Sequence, residues 1–125
     1  MKIGMIGLGK LGLPVAVYMD MMGHDVLGYD VTPGRMSKDS VSEMEAGFNG
    51  ADTFDEHLEK SNINFASSIK EVVNNTEMIF VAVQTPHDVR FEGVSPLPGD
   101  RADFDYSYLS ASIKEINEVQ TIYPN

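Results

Sequence analysis

The sequence contains no cysteine, only three histidines, and nine lysines and arginines against nineteen aspartates and glutamates. Without cysteine, a disulfide, a thiolate metal site and a cysteine nucleophile are all excluded within these 125 residues. His24, His57 and His87 are dispersed and share no metal-ligand spacing such as i, i+4 on a helix. The net charge of -10 is unevenly placed, because Lys2, Lys10 and Arg35 balance Asp20, Asp25 and Asp30 in the opening segment. All of the net negative charge therefore lies beyond residue 35, which argues against binding nucleic acid through its phosphates and serves solubility. Long apolar runs are also missing. Gly7, Gly9, Lys10 and Gly12 break the first and Asp20 breaks the next, so neither a membrane span nor a signal-peptide core is expected, and the expected location is cytoplasmic.

What is present suits one soluble domain over residues 1–125, with 42% hydrophobic and 22% charged residues. Lys2–Ile6 has apolar residues on both strand faces, as a buried parallel strand does. From Lys10 to Met22, the residues Leu11, Val15, Tyr18, Met19 and Met22 recur at helical steps and predict the buried face of a helix that Gly23 ends. Pro14 is tolerable there because first-turn N–H groups have no intrahelical acceptor. A second strand is expected in "DVLGYD", a helix over 35–46, a loop in "GFNGADTF" and a weaker strand near 63–66. Ser67 or Ser68 caps a short helix through about Asn74, with Glu71 placed to complete a capping box with Ser68. "MIFVAV" at 78–83 reads as the clearest buried strand. After a loop rich in proline and glycine, Asp105 is placed to cap a helix whose face carries Tyr108, Leu109, Ser112, Ile113 and Ile116. The alternation of strands and helices predicts an α/β, doubly wound parallel sheet of Rossmann-like type. It is expected to be cut short after the fourth strand and its helix, leaving an open edge that self-association or a partner chain would cover.

Gly7, Gly9 and Gly12 form a G-x-G-x-x-G turn between the first strand and helix, and Asp30 ends the second strand. Such a turn lets the backbone approach a pyrophosphate at a helix N-terminus, and the acid accepts from the adenosine ribose hydroxyls and repels a 2′-phosphate. This points to NAD rather than NADP. The bland alternative is that the glycines serve chain geometry and Asp30 caps a turn. Arg35 suits either the adenine ribose or a solvated helix. No serine, histidine and acid arrangement indicates a nucleophile, so no catalytic residue and no metal ligand is assigned.

"GLGKLGLPVA", "GYD" and "FVAVQTP" together resemble the N-terminal NAD-binding domain of the UDP-glucose/GDP-mannose dehydrogenase family. The resemblance runs along the whole chain, with Gly47, Glu56 and Leu58 in a looser middle segment and "RADFDYSYLSASIKEI" similar to the family's following helix. It implies that Gly7, Gly9, Lys10, Leu11, Gly12, Asp30, Arg35, Val83, Thr85 and Pro86 bind NAD. It further implies a part of an enzyme that oxidises the C6 alcohol of a UDP- or GDP-sugar to a carboxylate. The domains that carry the family's catalytic cysteine and bind its sugar nucleotide are expected to lie outside this chain, which alone should be inactive. Two alternatives stand beside it: a non-catalytic NAD-binding or interaction module, and the N-terminus of a β-hydroxyacid or 6-phosphogluconate type dehydrogenase, which the first 30 residues also resemble. From sequence alone, replacing Asp30 by alanine is expected to weaken NAD binding and leave the fold intact, which calorimetry with a parallel unfolding curve checks.

Overall fold

The computed structural model describes residues 1–32, 54–91, 96, 99 and 101–122. Four parallel strands, β1 (Lys2–Ile6), β2 (Asp25–Tyr29), β3 (Asn64–Phe65) and β4 (Met78–Val81), lie in the order β3-β2-β1-β4. Helices α1 (Gly12–Met21), α2 (Phe54–Lys60), α3 (Ile69–Asn75) and α4 (Ser107–Ile122) alternate with them. This is the first half of a doubly wound sheet, whose strand order reverses between β1 and β4.

The sheet is covered on both faces, which explains why β1 is apolar without alternation. On one face Met5, Leu8 and Val26 pack against Leu13, Ala16 and Val17 of α1 and Leu58 of α2. On the other, Ile6 packs with Ala66, Ile69 and Val72, joined by Ile79, Val81 and Ile116. Each large aliphatic side chain buried this way contributes about 1.5–3 kcal/mol.

The helix expected from Lys10 begins at Gly12, and its buried face is not the expected one. Leu13, Ala16 and Val17 face the sheet, whereas Leu11, Tyr18 and Met22 are exposed. Nearly every residue of α1 is apolar, so periodicity could not choose a side. The choice is made by Gly12, whose hydrogen takes a place where a Cβ would overlap the carbonyl oxygen of Gly7. Once Gly12 faces the turn, Ala16 at i+4 follows it onto the sheet, and Leu13 and Val17, four apart, pack beside them. At the other end the N–H groups of Gly23 and His24 donate to the carbonyls of Asp20 and Met19, a Schellman stop at the expected glycine.

Three further expectations are corrected. Residues 78–83 are not a buried strand: Met78 and Phe80 are 46% and 37% exposed, because β4 lies at the sheet edge with β1 its only strand neighbour among the described residues. Phe54, assigned to a loop, opens α2, a helix the sequence reading passed over. On the α4 face, Tyr108 and Ile113 are exposed, and Ser112 and Val119 are the buried residues. The expected helix over 35–46, together with Arg35 and Gly47, lies outside the described residues.

The cap of α3 holds in half. Glu71 N–H donates to Ser68 Oγ at 3.2 Å, but the Glu71 carboxylate turns one residue further back, accepting from Ser67 N–H and Ser67 Oγ at 2.7 Å each. The Ser67 backbone hydrogen bond, then the hydroxyl one, holds the Glu71 carboxyl below its ordinary value of 4.5. The resulting stabilisation is complete above the ordinary glutamate range and is lost as pH falls through the lowered folded value. Urea midpoints measured between about pH 3 and pH 6 should show that Glu71→Gln removes this part of the acid dependence. The Gly12→Ala change should destabilise the domain by about 3 kcal/mol, since the new methyl meets backbone rather than a yielding side chain. An unfolding curve within about 0.5 kcal/mol of the parent would contradict that packing.

Candidate functional site: a cleft at the strand ends

The turn after β1 is held from both neighbouring strands. Gly7 N–H donates to Tyr29 O at 2.8 Å, and Ala82 N–H donates to Ile6 O at 2.7 Å. Gly7 has φ of +96°, which an L side chain rarely adopts, and a Cβ there would also meet the Ala82 carbonyl. Leu8 then turns its side chain into the core, where it is 2% exposed and lies in the space left by Gly28. Its N–H donates to Asp30 Oδ2 at 2.8 Å, while Asp30 Oδ1 accepts from Thr32 N–H at 2.8 Å.

Asp30 is therefore more than an exposed ribose acceptor. It is 5% exposed and ties the glycine turn to the end of β2. The expectation that alanine at this position leaves the fold intact is corrected, because it would strip a buried N–H of its acceptor. Each carboxylate oxygen has two acceptor positions, so a ligand hydroxyl can still be received beside the backbone donors. The turn-capping and ligand-binding readings of Asp30 are compatible.

A cleft of about 280 Å³ opens at the carboxyl ends of β1, β2 and β4. Gly7, Gly9, Asp30 and Val83 line it; Gly12 lies beneath, packed on Gly7. Lys10 and Leu11 are exposed at the start of α1, and Thr85 and Pro86 are exposed beyond β4, all outside the cleft lining. Leu58 is a core residue and Glu56 an exposed one. Pro86 instead accepts from Asp105 N–H at 2.7 Å, fastening the loop after β4 to the start of α4. Asp105 in turn accepts from Ser107 N–H at 2.9 Å, close to its expected capping position.

The sequence reading did not place Val31, Ile69, Tyr108 or Glu115 in a site, yet all four line the cleft. The last two come from α4, far along the chain; the sequence places Tyr108 on one helix face with Leu109 and Ser112 and carries no signal for Glu115. Asp88 pairs with Arg90 at 2.9 Å, and the Arg90 side-chain hydrogen bond holds its carboxyl below the usual range. His87 and Asp88 lie in the loop after β4 and do not line the cleft.

The start of α1 meets the needs of an anion. Leu11 at the N-cap makes no side-chain capping hydrogen bond, and no acidic residue occupies the first turn. Leu13 N–H donates to Gly9 O at 3.1 Å and Pro14 carries no N–H, so an anion here would meet the positive end of the helix dipole and the backbone of the glycine turn itself. Together with the buried acid at the ribose position, the residues fit a dinucleotide.

Comparison with known proteins agrees with this geometry. The profile described as UDP-glucose/GDP-mannose dehydrogenase family, NAD binding domain, matches residues 1–122. The chain is 34% identical over 119 residues to UDP-glucose 6-dehydrogenase of Rhizobium meliloti, a match covering 89% of this chain and 24% of that protein. It is 28% identical to UDP-N-acetyl-D-mannosamine dehydrogenase of Pyrococcus horikoshii, with 95% of this chain and 26% of the relative covered. Among solved structures, a UDP-glucose dehydrogenase from Pyrobaculum islandicum superimposes with a TM-score of 0.72 at 25% identity, over 94% of this chain and 25% of the other. GDP-mannose dehydrogenase from Pseudomonas aeruginosa shares the fold, with a TM-score of 0.77 at 20% identity, over 100% of this chain and 26% of that one. The chain spans about a quarter of the length of these relatives. No helix of the described residues is long and apolar enough to cross a membrane. With the family profile matched along almost its full length and the cofactor turn in place, the chain belongs to the UDP-glucose/GDP-mannose dehydrogenase family, as its NAD binding domain.

Proposed function

We propose that residues 1–125 form the cofactor half of a nucleotide-sugar dehydrogenase that oxidises the C6 alcohol of a UDP- or GDP-sugar to a carboxylate. The observation that carries this reading is the uncapped start of α1 beside a cleft whose lip holds a buried aspartate. Bound NAD would supply the hydride acceptor. The chain's own groups bind and orient it: Gly7 shapes the turn, the backbone from Gly9 to Gly12 receives the pyrophosphate, Asp30 receives the ribose hydroxyls, and Val83 covers the adenosine end. Lys10, Leu11, Thr85 and Pro86 flank this path, and Arg35 completes the set. The sugar nucleotide would be held by further domains, for which the relatives' greater length leaves room, and the groups that act on the alcohol would come with them.

The cofactor assignment is tested by calorimetric titration with NAD and NADP. NAD should bind at least about tenfold more tightly, because a 2′-phosphate would face the Asp30 carboxylate. Asp30→Asn should weaken NAD binding by roughly tenfold and cost about 1–3 kcal/mol of stability, since the buried Leu8 N–H then loses a charged acceptor. Equal affinity for the two dinucleotides in the parent protein would sink the assignment.

The division of labour is tested by turnover. The purified chain with NAD and UDP-glucose, a UDP-N-acetyl sugar or GDP-mannose should form no NADH above a substrate-free control. Sustained NADH formation would show that chemistry resides in these residues. We further infer that the edge of β4, which carries exposed Met78 and Phe80 and has no second strand neighbour among the described residues, associates with another strand. Concentration-dependent sedimentation is expected of the isolated chain. A monomer at all concentrations, with rapid amide exchange along Met78–Val81, would refute this.

A further inference from the structure

Beyond Asp30 the cleft continues as a slot. Tyr108, Ala111, Ser112 and Glu115 form its α4 wall, at i, i+3, i+4 and i+7, so they make one stripe of the helix. Val31, Ile69 and Val83 line it as well. From Tyr108 to Glu115 the helix rises about 10 Å. The whole cleft, about 280 Å³, lies near the lower end of ligand pockets, which run from about 300 to 1,000 Å³. It has room for one nucleoside, with the remainder of a dinucleotide passing over the glycine turn.

Resting on the NAD reading, the ribose at Asp30 and the pyrophosphate at the turn leave the adenine for this slot, whose mostly apolar lining suits a ring. Its polar groups differ in what they can select. The Ser112 hydroxyl donates to Tyr108 O at 3.0 Å and is engaged within the helix. Gln84 offers both a donor and an acceptor, and so accommodates an amino or a keto group alike. The Glu115 carboxylate only accepts. It receives an exocyclic amine and repels a keto oxygen in the same place.

We propose that Glu115 is a base-selecting residue: it accepts a hydrogen bond from the adenine amino group and so excludes 6-keto purines from the slot. Calorimetric titration of the full chain with NAD and with nicotinamide hypoxanthine dinucleotide tests this contact, because the two differ only in the 6-substituent and in the N1 proton that a 6-keto purine carries. The parent should prefer NAD by about tenfold. Glu115→Ala, at an exposed helical position where alanine is well tolerated, should bring the two affinities within about twofold. Glu115→Gln, which retains an acceptor without the charge, should recover part of the preference. Asp30→Asn should weaken both ligands alike, since their riboses are identical. NAD binding with no preference in the parent, or a preference that survives in a folded Glu115→Ala, overturns the assignment while leaving the NAD reading intact. Failure of the parent to bind either dinucleotide overturns both.

Discussion

The carboxylate of Asp30 joins two segments 22 residues apart, accepting from Leu8 N–H in the glycine turn and from Thr32 N–H just past β2. Taking a carboxylate out of water costs several kcal/mol, so its burial is sustained only by good partners. Charge-assisted hydrogen bonds from two backbone amides are such partners. Because backbone donors on both segments hold it, the carboxylate fixes the spacing between the turn and the ribose position before any ligand arrives. Leu8 reinforces the arrangement from beneath, its side chain in the core beside Gly28. Pre-organisation of this kind spares a ligand part of the ordering cost of binding.

A second constraint, the contact of Gly12 with Gly7, orients α1 over the sheet. The direction of the helix start, its packed face and the position of the cleft all follow from it. Backbone geometry thus decides here what side-chain periodicity leaves open. The same helix shows why the sequence was only partly legible. Its existence and its stop were readable from the glycine turn and Gly23, but its first residue was placed two positions early and its packed face was not legible, since apolar residues surround the axis.

The site was legible where it is local. The glycines and Asp30 lie within one strand-turn-helix-strand unit, and their spacing carries a mechanism. Glu115 and Tyr108 enter the cleft only because β4 crosses to the far side of β1 and brings α4 with it. That placement belongs to topology. Likewise "MIFVAV" has the composition of a buried strand, yet its neighbours among the described residues leave one side open, so Met78 and Phe80 meet solvent. Composition reports what a strand can bury, and sheet order decides what it does bury. At α3, the motif S-x-x-E correctly marked the helix start, but the glutamate found Ser67 within reach and formed two hydrogen bonds there.

The central claim is that a cofactor cleft, pre-formed by Asp30 and the glycine turn, lies at the carboxyl ends of the strands. The most direct test is a titration of the isotopically labelled chain with NAD, followed by amide chemical shifts. The account predicts saturable changes at Leu8 through Leu13, Val31, Thr32, Val83 and Ser112, with little change along the opposite ends of the strands near Lys2, Asp25 and Glu77. Shifts that cluster instead between the C-terminal halves of α3 and α4, or the absence of any saturable change, would contradict it.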